Sequence, residues 1–251
     1  MKKFIIMVLF VGLPILIYLM TIDNKIYYVA LGDSLAAGQN SYGKIAYGYA
    51  DYIADDLRTK NKLELYTKDF AVSGHRTTDL INDINNNKKA LINEERITIK
   101  QALTKADLVT ISIGANDLFY KMGLTGFDIT YYNETDLKKY VDEIILDIEK
   151  LIVLTKKYCK EDIILIGYYN PLWSMKKSYA ADLEATFIYA NEKMLEITKK
   201  HDIYYVDIHK TFNQGSDLLP NPLDIHPSSA GYVAIGKKIM DIINTKILNS
   251  N

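Results

Sequence analysis

From residue 25 onward the chain alternates two apolar patterns. Short unbroken runs stand at 25–32 (KIYYVALG), 63–72 (LELYTKDFAV), 107–114 (DLVTISIG), 162–170 (DIILIGYYN) and 203–208 (IYYVDI). Their β-branched and aromatic content predicts five strands. Between them, apolar residues return every three or four positions, which predicts helices over 48–60, 77–85, 89–104, 136–158, 180–200 and 231–248. The stripe is clearest in 136–158, where Leu137, Tyr140, Val141, Ile144, Ile145, Ile148, Leu151 and Ile152 share one face.

Strands that are apolar throughout are buried on both faces, which calls for a parallel sheet covered by helices. The expected fold is therefore a three-layer α/β/α sandwich around a five-stranded parallel sheet, with right-handed crossovers. No repeat, low-complexity tract or linker divides residues 23–251, which read as one domain.

The stretch 4–22 breaks the pattern: it carries no charge and no polar stripe, and it follows Lys2 and Lys3. A helix of that length rises about 28 Å, close to the roughly 30 Å hydrocarbon core of a bilayer. Residues 1–22 are therefore expected to form one transmembrane anchor, with the following domain outside the cell. A cleaved signal peptide, giving a secreted protein, is the other reading. The lack of a small-x-small cleavage site over 19–25, and of a cysteine to take a lipid, favours the anchor.

Composition narrows the function. The 251 residues carry a net charge of −1 with pI near 6.4, which gives no reason to expect a nucleic-acid partner. Cys159 is the one cysteine, so an internal disulfide and a thiolate metal cluster are excluded, and it is expected to pack at a helix–strand junction. No His/Cys/Asp cluster at ligand spacing predicts a metal, and no GxGxxG or GxxxxGK predicts a nucleotide cofactor. His75 reads as a loop histidine beside a possible pocket, and His201 and His209 as structural.

The chemistry-bearing residues stand after strands. Gly32-Asp33-Ser34-Leu35 follows the first, Ser73-Gly74 the second, Gly114-Ala115-Asn116-Asp117 the third, and Asp224-Ile225-His226-Pro227 comes beyond the fifth. A parallel sheet gathers its carboxyl ends at one edge, where such folds bind ligands. A hydroxyl, an imidazole, an amide side chain and a glycine turn are then the parts acyl transfer needs. Asp33 is expected to tie down its own turn, and Asp117 to cap the segment after Asn116.

With the blocks GDSL (32–35), VSG (72–74), GAND (114–117) and IHPSSAGY (225–232), the chain resembles the GDSL or SGNH hydrolases, among them the membrane-associated lipase-like members of Gram-positive bacteria. The resemblance implies a flavodoxin-like sandwich and a serine esterase, lipase or thioesterase. It implies Ser34 as nucleophile and His226 as base. The backbone N–H groups of Ser34 and Gly74, with the Asn116 amide, would form the oxyanion hole. The glycine at 74 is expected because a side chain would obstruct close approach. The acid departs from the family's Asp-x-x-His: Leu223 holds that position, and Asp224 lies two residues before His226. Three readings stay open: Asp224 reaches the ring, a backbone carbonyl orients it, or Asp224 is a turn residue.

Aromatic residues in 118–134 and 168–173 would either wall an acyl pocket, or act as its lid, or simply cover the sheet end. The expected substrates are small acyl esters, lipids or acylated glycans. An O-acetyl esterase acting on wall or capsule glycans is the alternative enzyme, and a silent acyl- or glycan-binding domain the alternative of another class.

Overall fold

The computed structural model describes residues 25–123, 134–171, 179–212, 216–221 and 224–248. The expected anchor at 1–22 lies outside them. Among the described residues no helix is long and apolar enough to cross a membrane.

Five strands form one parallel sheet: β1 (Ile26–Gly32), β2 (Leu63–Thr67), β5 (Leu108–Ser112), β6 (Asp162–Ile166) and β7 (Tyr204–Val206). They stand in the order β2-β1-β5-β6-β7. Counted within this sheet alone, the order is 2-1-3-4-5, the flavodoxin-like arrangement whose switch point lies between the first and third strands. Every residue of β1 and β5 is buried, as their unbroken apolar runs require.

Two cores sandwich the sheet. On one face Val29, Leu31, Val109, Ile111 and Leu165 pack beneath the helices Thr77–Asn85, Ile99–Lys105, Glu134–Tyr158 and Tyr179–His201. On the other, Tyr28, Ala30, Leu108, Ile164 and Val206 pack beneath Tyr49–Thr59 and Ser229–Ile242. Alternate residues of one strand thus feed opposite cores, which is the period-two geometry of a strand buried on both sides.

The structure corrects the helix expected over 89–104. The stretch 89–104 is not one helix. Lys89–Ile92 (β3) and Glu95–Thr98 (β4) form an antiparallel hairpin, and a helix begins only at Ile99. Asn93 and Glu94 turn the hairpin with φ of 48° and 69°, the double positive φ of a two-residue hairpin loop. Thr98 then caps the helix, accepting from Gln101 N while the Gln101 side chain accepts from Thr98 N. That Thr-x-x-Gln box was the available signal. Strand ends were also drawn long: β2 stops at Thr67, where Thr67 and Asp69 exchange side-chain hydrogen bonds and turn the chain.

Cys159 is buried at the junction of a helix and β6, and its thiol contacts the Ala106 carbonyl at 3.6 Å. Burial pushes this thiol up to about 11, so it is not an activated nucleophile.

Candidate active site

The switch point brings the first and third blocks side by side. Gly32 pairs with Ser112, and the chain leaves the sheet there on both strands. Asp33 N donates to Ser112 O at 3.0 Å, and the Asp33 carboxylate accepts from Leu35 N at 3.0 Å. This caps the one-turn helix Ser34–Ala37 and holds Ser34 at its first position. Asp33 therefore ties down its own turn, as expected.

Ser34 Oγ lies 2.8 Å from His226 Nε2, although the two are 192 residues apart. On the other side of the ring, Nδ1 lies 2.7 Å from Asp224 Oδ1, and the same oxygen accepts from His226 N at 2.7 Å. The carboxylate curls back over the residue two positions on, an Asx-type turn. That local turn is why a two-residue spacing suffices where the family usually has three. A carboxylate only accepts, so the neutral tautomer that satisfies this bond holds its proton on Nδ1 and leaves Nε2 to accept from the Ser34 hydroxyl. The amide nitrogen of Gln39 stands farther off, 3.4 Å from Nδ1.

Asn116 and Gly74 come to the same edge. Asn116 Nδ2 donates one of its hydrogens to His75 O at 2.9 Å, joining the second and third blocks. The second N–H of that amide remains for another acceptor. Asp117 makes the next tie, accepting from Thr77 N at 2.9 Å and Thr77 Oγ1 at 3.1 Å. Asp117 thus holds the start of the helix Thr77–Asn85, a role across blocks that the sequence did not show. Among the described residues, no acceptor takes the backbone N–H of Ser34 or Gly74.

Gly74 is required by its backbone: its φ of +81° is one that L side chains rarely adopt, and a Cβ there would meet no protein atom within 4 Å. Gly114 is required differently. Its Cβ would fall 2.0 Å from the Tyr168 hydroxyl, which donates to Ile113 O at 2.8 Å.

A cavity of about 50 Å³ opens beside Ser34 and His226, walled by Leu118, Phe119, Tyr168, Tyr169, Pro171 and Phe187 among others. Two aromatics also have supporting work that sequence reasoning missed. Tyr169 donates to Ile225 O at 2.5 Å, fixing the backbone just before His226, and it stacks on Phe212 at 4.1 Å. Tyr168 is held by Asn191, which accepts from its N–H at 2.7 Å and donates to its carbonyl at 2.8 Å. Their place after β6, at the catalytic edge, was the usable signal. Not all the residues expected near the cavity line it: Tyr120 is exposed beneath the Arg76 guanidinium and Met122 is in the core. The helix Ala115–Lys121 carries Asn116 and the first of these residues. Leu124, Phe127, Tyr131, Tyr132, Leu172 and Trp173 lie outside the described residues.

Burial, with a smaller push from Asp117, raises the Asp33 carboxyl to about 7 against the opposing Leu35 N–H bond. Between roughly pH 4 and 7 the folded protein keeps a proton that the unfolded chain releases, so this group's contribution to stability falls as pH rises through that window. Burial likewise raises Asp117, against its Thr77 bonds. The remaining histidines are tied elsewhere: His75 to Asp83, His201 to Glu149 and His209 to Glu184.

A family model described as GDSL-like lipase/acylhydrolase matches residues 30–234. The chain belongs to the GDSL-like lipase/acylhydrolase family. It is accordingly a carboxylic ester hydrolase of the esterase and lipase type. An uncharacterised Bacillus subtilis protein, YpmR, is 28% identical over 231 residues, covering 88% of this chain and 82% of that protein. Among solved structures, a lipase from a goat rumen metagenome, Lip_vut3, superimposes with a TM-score of 0.67 at 20% identity, over 85% of this chain and 95% of that one. The acetylxylan esterase Axe2 from Geobacillus stearothermophilus gives 0.58 at 19% identity, over 87% and 94%. At these identities the two structures speak to the shared fold.

Proposed function

We propose that the protein hydrolyses carboxylic acyl esters through an acyl-enzyme on Ser34. The observation that carries this reading is the unbroken hydrogen-bonded line from Ser34 Oγ through the His226 ring to Asp224 Oδ1. Ser34 Oγ attacks the ester carbonyl carbon while its proton passes to His226 Nε2. The C–O bond to the alcohol then breaks, and Nε2 returns the proton to the leaving oxygen. Water repeats the sequence in reverse: its oxygen attacks the acyl carbon, its proton goes to Nε2, and the acid departs as Ser34 regains its hydrogen. Asp224 holds the ring in the accepting tautomer and balances the charge of the imidazolium.

The backbone N–H groups of Ser34 and Gly74 and the second N–H of Asn116 receive the oxyanion. Support comes from their lack of acceptors among the described residues and from the bond to His75 O that orients Asn116. Asn116→Ala is expected to lower kcat about 10²–10³-fold with a smaller change in KM. Kinetics on p-nitrophenyl esters, with acetylated xylo-oligosaccharides alongside, test both the residue and the reaction. A kcat within a few-fold of the parent would remove Asn116 from the hole.

O-acetylated glycans are the second reading, favoured by the small cavity of about 50 Å³ and by the acetylxylan esterase activity named for one structural neighbour. Cleavage of acetylated oligosaccharides at rates above those for simple acetate esters would select it.

We also propose that residues 1–22 anchor the domain 23–251 on the outer face of the cell membrane. The uncharged stretch 4–22 behind Lys2 and Lys3 supports this. Ser34 follows the carboxyl end of β1, about 17–20 Å from the strand's start, so the site would face away from the bilayer. The full chain should stay with membranes after an alkaline carbonate wash. Recovery of a shortened chain from the medium would instead establish cleavage.

A further inference from the structure

A second cavity, of about 20 Å³, adjoins the catalytic one, with a mainly apolar lining that includes Val141, Ile144, Ile145, Thr186 and Ala190. The two cavities share four walls: Ala115, Leu118, Tyr168 and Phe187. Ala115 and Leu118 belong to the helix that carries Asn116, and Tyr168 is fixed by hydrogen bonds to Ile113 and Asn191. Phe187 differs. It is 5% exposed, comes from the separate helix Tyr179–His201, and meets Tyr168 edge-on with centroids 6.3 Å apart and planes at 62°.

We propose that Phe187 sets the acyl-chain length this enzyme accepts, by closing the catalytic cavity off from an inner apolar subsite fit for an alkyl tail. The inference rests on Ser34 being the acylated residue. At about 10–15 Å³ per water-sized group, the outer cavity holds roughly three to five such groups, enough for acetyl to butyryl. The inner cavity adds space for one or two methylenes, more once the Phe187 ring is gone. Its lining asks for hydrocarbon, because a polar group entering it would lose its water partners without replacement. Helix Glu134–Tyr158 and helix Tyr179–His201 supply the far wall, so the acyl tail would run between these two helices and beneath Tyr168.

The test is the ratio of kcat/KM for p-nitrophenyl hexanoate to that for the acetate, measured on the full chain. Each newly buried methylene is worth about fourfold. Phe187→Ala is therefore expected to raise the ratio at least tenfold, and adding Ala190→Leu, which fills only the inner cavity, should reverse the gain. Phe187→Leu, a milder change for a core position, should raise it about threefold and decides the matter if Phe187→Ala does not fold. A ratio unchanged in the folded Phe187 variants would overturn the proposal, as would a gain that Ala190→Leu leaves intact. Calorimetric binding of hexanoate needs no turnover and separates this subsite from the mechanism. Tighter binding by Phe187→Leu or Phe187→Ala without hydrolysis would keep the subsite and remove Ser34 as acyl acceptor. Equal binding by variant and parent would remove the subsite.

Discussion

Ser34→Ala is expected to lower kcat/KM about 10⁴- to 10⁶-fold, with His226→Ala close behind. The two should not multiply, since hydroxyl and imidazole work as one unit across a 2.8 Å hydrogen bond. Without the ring, nothing takes the hydroxyl proton; without the hydroxyl, the ring has no nucleophile to activate. A residual rate from the oxyanion donors, about 10³–10⁴ over water, should survive in both variants and in the double variant. Ser34 is 8% exposed, beside an open cavity, so a fluorophosphonate can reach it. Intact-mass analysis of the reagent-treated full chain should show one adduct on the parent and none on Ser34→Ala. An adduct on both would place the reactive group elsewhere. Normal turnover by Ser34→Ala would overturn the mechanism.

Asp224→Ala should cost about 10³-fold in kcat, with little change in KM. The side chain contributes two bonds through one oxygen, at 2.7 Å to the ring and 2.7 Å to the backbone N–H of His226. Its removal frees the ring tautomer and loosens the turn that carries the ring. Asp224→Asn can keep the bond to the backbone N–H through its own Oδ1, but it loses the charge and brings an N–H donor that favours the wrong ring tautomer, so it should keep the turn and still lose kcat about as far as Asp224→Ala. A loss of kcat with the turn and the fold intact distinguishes an orienting role from simple loss of structure. A fall of threefold or less in Asp224→Ala would return the orienting role to another acceptor. The Tyr169 bond to Ile225 O supports the same turn from a second side, independently of the carboxylate.

Periodicity is a local property, and it was sufficient for the layered fold. Runs such as IYYVALG suit burial on both faces, and the stripe over 136–158 suits a helix that buries one face in the core. The same reasoning failed over 89–104, where Ala90, Ile92 and Ile97 suit either period, and only the turn at Asn93–Glu94 and the Thr98 cap decide. Ser34, Asn116 and His226 were legible because each stands in a recognisable block beyond a strand, and a parallel sheet must gather those ends. Partners were not legible. Ser34 with His226, Asn116 with His75 O and Asp117 with Thr77 join residues 192, 41 and 40 positions apart. Such pairings depend on the packing of crossover helices and the paths of loops, which no local pattern encodes. Asp224 shows the boundary between the two. Its contact with His226 spans only two residues, yet whether the carboxylate meets the ring depends on backbone torsions, and only the folded loop brings the two within 2.7 Å.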